Sequence, residues 1–172
     1  MNSKVLVTYA TRMGSTEEVA QRVACKLRES GLAVDVLPAR HVRSLESYGA
    51  VVLGAALYVG RLHKDARRFL AANRDLLIKL PVALFVLGPV QKDEKDWKGA
   101  QNQLEKQLRD FPWFAPVALS IVGGKFDAAR LGFPFNLIPA LRRMPPSDVR
   151  DWEAIDTFAS ELALQFSGVT IQ

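Results

Sequence analysis

The sequence predicts an α/β protein, with a parallel sheet covered by helices on both faces. Two observations predict it. Five short apolar runs, at 5–7, 34–37, 50–53, 82–87 and 117–122, alternate with amphipathic segments. The runs are continuously apolar rather than alternately apolar and polar, as strands covered on both faces require. Ligands of such sheets bind beyond the carboxyl ends of the strands. The loops at 10–16, 54–61, 88–96 and 123–126 therefore form the candidate binding face.

The first run, Val5, Leu6 and Val7, stops at Thr11-Arg12-Met13-Gly14-Ser15-Thr16. A helical pattern follows at once. Val19, Val23 and Leu27 recur every four residues with Ala20 and Ala24 beside them, and Gly31 marks the C-cap. The first N–H groups of a helix lack internal partners, and its dipole is positive there, so this loop is a candidate phosphate site. Thr11, Ser15 and Thr16 add hydroxyls, and Gly14 lets the backbone come close. The same six residues also read as a plain helix start capped by Ser15 or Thr16. Cys25 reads as a structural thiol within the helix.

The second strand closes at Pro38, and 40–48 is a polar connector. The third strand is expected to end at a loop, Gly54-Ala55-Ala56-Leu57-Tyr58-Val59-Gly60-Arg61, where Tyr58 either stacks on a flat ring or packs as a half-buried tyrosine. A helix over 64–73 turns Ala66, Phe69 and Leu70 inward. Pro81 opens the fourth strand and Gly88-Pro89-Val90 breaks it. Residues 93–110 form a charged helix with an inward stripe of Trp97, Leu104 and Leu108. Gly123-Gly124-Lys125 closes the fifth strand.

Residues 126–147 are irregular. Leu137, Ile138, Leu141 and Met144 fall on one helical face, with Arg142 and Arg143 elsewhere. That pattern fits either a segment that meets lipid or quinone or a helix covering the last strand. Phe133 and Phe135 are candidates to cap a ligand pocket. The last helix is expected to start near Ser147-Asp148 and to bury Trp152, Ile155, Phe158, Ala159, Leu162 and Phe166. Residues 1–172 are expected to form one domain, with an aromatic-rich insertion at about 123–147.

With 172 residues and 49% hydrophobic content, the chain can build a real core. No apolar run approaches the roughly 20 residues a membrane span needs. The N-terminus shows no signal-peptide pattern, and the single cysteine excludes a disulfide framework, so a cytoplasmic protein is expected. The net charge of +5 points to an anionic partner. Nucleic acid is not expected, because the basic residues are spread out and no binding motif appears. Gly-x-Gly-x-x-Gly and the P-loop motif are absent. A phosphorelay receiver would need acidic residues where Ala10-Thr11 and Gly54-Ala55 stand. No Ser/His/Asp grouping or metal-spaced cluster is evident. His41 and His63 read as solvated loop residues, His63 being the one placed near a ligand. What remains is a mononucleotide site, with a phosphate at the first loop and a flat ring against the next two. FMN is the economical candidate.

Thr11-x-x-Gly14-x-Thr16 after the first strand resembles the FMN phosphate loop of flavodoxins, with Met13 where that family usually carries a further hydroxyl. Thr11-Arg12-x-Gly14-x-Thr16, Gly54-Ala55 followed by Tyr58-x-Gly60, and Asp151-Trp152-Glu153 together resemble a narrower branch. That branch is the flavodoxin-like menaquinone-dependent protoporphyrinogen IX dehydrogenases. The resemblance covers residues 4–166. It implies a flavodoxin-like three-layer sandwich, strand order 2-1-3-4-5, with tightly held FMN. By that resemblance, Thr11, Arg12, Met13, Gly14, Ser15 and Thr16 would hold the phosphate. Ala55, Ala56, Leu57, Tyr58, Val59, Gly60 and Arg61, and across from them Gly88, Pro89, Val90, Gln91 and Asp93, would flank the isoalloxazine.

The narrower branch further implies oxidation of protoporphyrinogen IX, with electrons passed through FMN to a membrane quinone. Peripheral contact with the inner membrane is part of that expectation. A basic chain suits both porphyrin propionates and an anionic bilayer. No catalytic residue is identified. Arg61 and Lys92 read either as partners of flavin or propionate or as solvated loop charges. The alternative is a soluble flavodoxin that carries electrons between redox proteins without a substrate of its own. A third reading, kept open by Met13, is a flavodoxin-fold module that has lost flavin.

Overall fold

The computed structural model describes residues 4–169. Its main sheet contains β1 (Lys4–Ala10), β2 (Val34–Pro38), β3 (Tyr48–Tyr58), β4 (Arg61–Leu62), β5 (Val82–Leu87) and β6 (Ala118–Ile121). The path is β2-β1-β3-β5-β6, with every pair parallel; β4 folds back antiparallel on β3. Apart from β4, this is the expected five-strand order. Among the described residues six helices accompany it: α1 (Ser15–Glu29), α2 (Lys64–Ala72), α3 (Arg74–Leu77), α4 (Glu94–Leu108), α5 (Pro139–Arg142) and α6 (Trp152–Val169).

Alternation along the strands divides the core between the two faces. Val5, Val7 and Tyr9 of β1 and Phe85 of β5 join Val19, Val23 and Leu27 of α1 and Ile155, Phe158 and Leu162 of α6. Leu6 and Ala10 of β1 and Leu84 and Val86 of β5 join Ala66, Phe69 and Leu70 of α2 and Leu104 of α4. Each fully buried Leu, Val or Phe contributes about 1.5–3 kcal/mol, so both helical layers are held chiefly by these side chains.

β3 does not end at Leu53. Its ladder continues to β1 through Ala10↔Ala55 and to β5 through Ala56↔Leu87. With Gly54 and Ala55 paired on both edges and Ala56 on one, this stretch is strand despite its low β propensity. The chain reverses at Val59 (φ 47°) and Gly60 (φ 72°) and returns as β4. Both central residues of that two-residue turn are left-handed, as a type I′ hairpin demands.

The α1 cap also differs from expectation. Gly14, at φ 86°, is the N-cap, and Ser15 and Thr16 lie inside the helix. Cys25 is exposed rather than structural. Val23, Ala24 and Leu27 define the inward face, and Cys25 falls outside it. At the other end the C-cap is Ser30, one residue before the expected Gly31; Gly31, at φ 86°, donates its N–H to Arg28 O and Leu32 N–H donates to Leu27 O, a Schellman motif.

The segment after β6 forms no continuous helix. β7 (Lys125–Phe126) pairs antiparallel with β8 (Ser147–Asp148), and between them run two 3-10 turns and the single turn of α5. Gly132, Pro134 and Pro139 interrupt the apolar periodicity that predicted one helical face. α6 begins at Trp152 rather than near Ser147, because Asp151 caps it, accepting the Ala154 N–H at 2.9 Å. Trp152 is 37% exposed, not buried. In α4 the buried stripe is Ala100 and Leu104, while Trp97 and Leu108 are half-buried.

Candidate functional site

A cavity of about 200 Å³ lies at the carboxyl ends of β1, β3 and β5. Arg12, Met13 and Ser15 line it from the first loop; Ala56, Leu57, Tyr58 and Val59 from the end of β3; and Leu87, Gly88 and Val90 from the end of β5. The fourth wall comes from the segment between β6 and α6: Gly124, Lys125, Phe126, Leu131, Gly132, Phe135, Leu141 and Met144. This segment roofs the cavity with apolar side chains.

The other residues expected at the site are not part of this lining. Thr11 holds the first loop closed, its Oγ1 accepting the Gly14 N–H at 2.9 Å. Thr16 is fully buried in the first turn of α1. Ala55 is buried within β3 against the α2 face, and Gly60 sits in the hairpin turn. Arg61 is exposed on β4. The Pro89 carbonyl accepts the Gly124 N–H at 2.7 Å and ties the β5 loop to the roof. Gln91 is exposed, and Asp93 is the N-cap of α4, accepting the Lys95 N–H at 3.0 Å. Lys92 faces a separate groove with Trp97 and Arg150. Phe135 reaches the cavity, whereas Phe133 is 77% exposed.

The first turn of α1 fits an oxyanion. Its N-cap, Gly14, supplies no side-chain acceptor to the leading N–H groups. Thr16 Oγ1 is buried without a hydrogen-bond partner. An orphaned hydroxyl costs about 1–3 kcal/mol, and a phosphate oxygen would satisfy it together with the free N–H groups.

Arg12 fixes the cavity's aromatic corner. Its guanidinium lies 4.7 Å from the Phe135 ring centroid and 6.0 Å from that of Tyr58. Burial raises the Tyr58 phenol, opposed by the backbone amide and the charge of Arg12. His63 packs edge-on to Tyr58 with ring centroids 6.2 Å apart, and its Nδ1 accepts the Asp65 N–H at 3.1 Å as the cap of α2. It is therefore a half-buried cap rather than a solvated loop residue.

Burial lowers the His63 pKa, and the cap requires an unprotonated Nδ1. The unfolded chain then binds a proton more readily than the native one. This contribution to stability is complete above the ordinary imidazole value of 6.5 and is lost as pH falls through the depressed native value. Unfolding free energy measured in urea should fall between pH 7 and pH 5. The fall should be shallower in His63→Asn, which keeps a cap acceptor but does not titrate. Equal slopes would remove His63 as the source.

Sequence reasoning missed Arg150, which locks the end of the roof to α1. Its side chain is 3% exposed and donates to Asp148 (2.9 and 2.7 Å), Glu18 (2.6 Å) and the Ser15 carbonyl (3.3 Å). It also lies 4.8 Å from the Trp152 ring centroid. Its hydrogen bonds hold the carboxyls of Glu18 and Asp148 below the usual range. Of the roof residues, Gly124, Lys125 and Phe126 belong to the 123–126 loop that the sequence put on the binding face without giving them a role, whereas Leu131 and Gly132 carried no signal of the site.

A family model described as Flavodoxin domain matches residues 6–136. The chain is 27% identical to protoporphyrinogen IX dehydrogenase [quinone] of Escherichia coli (strain K12), over 93% of this chain and 94% of that protein. Among solved structures it is similar to a flavodoxin from the domain Archaea, with TM-score 0.58, 12% identity and coverage of 95% of this chain and 99% of that one. It is also similar to oxidised flavodoxin 1 from Bacillus cereus, with TM-score 0.54, 22% identity and coverage of 98% and 97%.

Proposed function

The chain belongs to the flavodoxin domain family, and we propose that it is an FMN-dependent oxidoreductase that acts on protoporphyrinogen IX and passes the electrons to a quinone. The observation that carries this reading is the roof. Phe135, Leu141 and Met144 close an apolar cavity over the strand ends, which suits a flat apolar small molecule better than the direct approach of a redox protein. The name of the Escherichia coli relative supplies the substrate pair.

When bound, FMN supplies the electron exchange. The chain's own residues bind and orient it. The first turn of α1, with Thr16, would hold the phosphate; the end of β3 and the Gly88–Val90 stretch would hold the ring; the roof would exclude water. Peripheral contact with an anionic membrane is part of the same reading. Phe133, Leu137 and Ile138 are 77%, 65% and 41% exposed on the roof and adjoin the exposed Arg142 and Arg143 in sequence. Among the described residues no helix is long and apolar enough to cross a membrane.

The test is anaerobic turnover by the FMN-loaded protein. Protoporphyrin fluorescence should appear when protoporphyrinogen IX and a menaquinone analogue are both present. No fluorescence, together with fast electron exchange with a flavodoxin reductase, would overturn the reading in favour of an electron carrier between proteins. Loss of all added FMN on desalting would overturn both.

A further inference from the structure

We propose that Lys125 and Arg130, on the roof segment, are phosphate-binding residues that bring positive charge to the first turn of α1. The proposal rests on the FMN reading and deepens it. Lys125, Asp127 and Arg130 enclose a second small cavity together with Met13 and Ser15 of the first loop. Lys125, Met13 and Ser15 line the main cavity as well, so the two spaces meet at the start of α1. The buried, unpartnered Thr16 hydroxyl lies in the same turn.

Neither cation is satisfied by its present partners. Arg130 Nη1 donates to the Met13 carbonyl at 3.3 Å, and its Nε is 3.9 Å from Asp127, whose carboxylate already accepts the Ala129 N–H at 3.0 Å. Lys125 Nζ is 3.9 Å from Glu18, which Arg150 already holds at 2.6 Å. Glu18, Asp127 and Asp148 are the carboxylates facing the pair; Asp148 stands across the β7–β8 ladder from Lys125 and is held by Arg150 at 2.7 Å, so each has another partner. Both cations nonetheless help to lower the Glu18 carboxyl, behind the larger effect of Arg150, which places their charge at this end of α1. A phosphate dianion there would meet two charged donors, a buried hydroxyl and free backbone N–H groups.

The roof would then do two jobs: cover the ring and neutralise the phosphate. A cofactor lacking the phosphate should not feel these cations. The experiment is titration of the apoprotein with FMN and with riboflavin, followed by flavin fluorescence, in the wild type, Lys125→Met, Arg130→Met and the double variant. Each single change should raise the FMN Kd about tenfold, leave the riboflavin Kd unchanged and flatten the salt dependence of FMN binding. Lys125→Arg should retain affinity, and near-ultraviolet circular dichroism of each apoprotein reports its fold. Unchanged FMN affinity in a folded double variant would overturn the proposal and leave the FMN reading standing. Equal loss of FMN and riboflavin would also overturn it, because the residues would then be holding the roof rather than the phosphate. A wild type that binds no FMN would fail the underlying reading instead.

Discussion

Gly54→Ala is expected to destabilise the apoprotein by about 1–3 kcal/mol, one of the largest effects available from a single added methyl group. A Cβ on Gly54 would stand 2.1 Å from Cζ of Phe85, with Cε2 and Cε1 at 2.6 and 2.8 Å. Gly54 of β3 and Phe85 of β5 are direct neighbours in the ladder. The ring has little room to retreat, since Phe85 is fully buried and edge-on to Phe158 of α6 at 6.4 Å between centroids. Overpacking therefore has to move backbone or force a ring off its rotamer. The same strand carries Ala56, Leu57 and Tyr58 into the cavity wall, so a shift should weaken FMN binding too. Phe85→Leu on its own should cost stability by leaving space. Combined with Gly54→Ala it should cost less than the sum of the two, because each change relieves the other's fault. Urea unfolding of the four proteins measures the coupling. Strict additivity would mean that the ring and the glycine do not share one space.

This pairing also shows where sequence reading stops. The strands and the first loop were legible because their signals are contiguous: an apolar run, a hydroxyl-rich loop with one glycine, then a helical stripe; the order of the strands came from the family resemblance. The Gly54-Ala55-Ala56 stretch before the hairpin gave no such signal. Gly54, Ala55 and Ala56 are poor strand formers, and they are strand because β1 and β5 pair with both edges of Gly54 and Ala55, β5 pairs with Ala56, and Phe85 needs the space above Gly54. Those causes lie about thirty or more residues away in sequence. The roof was legible in composition but not in shape. Its anchors are Arg150 on Glu18, a contact across 132 residues, and the Gly124 N–H on the Pro89 carbonyl. Cys25 is a different case, because the period that put Val23, Ala24 and Leu27 inward already turned it outward.

Thr16→Val should move stability and cofactor affinity in opposite directions, a pattern that a plain helix-start residue does not give. Valine matches threonine in shape and removes the hydroxyl, which is fully buried and unpartnered in the protein without ligand. The apoprotein should therefore gain about 1 kcal/mol, because an unsatisfied buried polar group is gone. In the proposed FMN site the same hydroxyl would donate to a charged phosphate oxygen, a bond that contributes about 1.5–3 kcal/mol, so FMN should bind at least tenfold more weakly. Ligand stabilisation of the native state falls by about 1.4 kcal/mol for each tenfold loss when FMN is in excess. The apo and holo melting temperatures should then converge: the apoprotein rises while the complex stays level or drops. Thr16→Ser, which keeps the hydroxyl and loses a buried methyl, should reverse the pattern, with a less stable apoprotein and near-normal affinity. If Thr16→Val instead destabilises the apoprotein and leaves FMN affinity unchanged, the hydroxyl serves the fold and the phosphate is held by the backbone of the first turn alone.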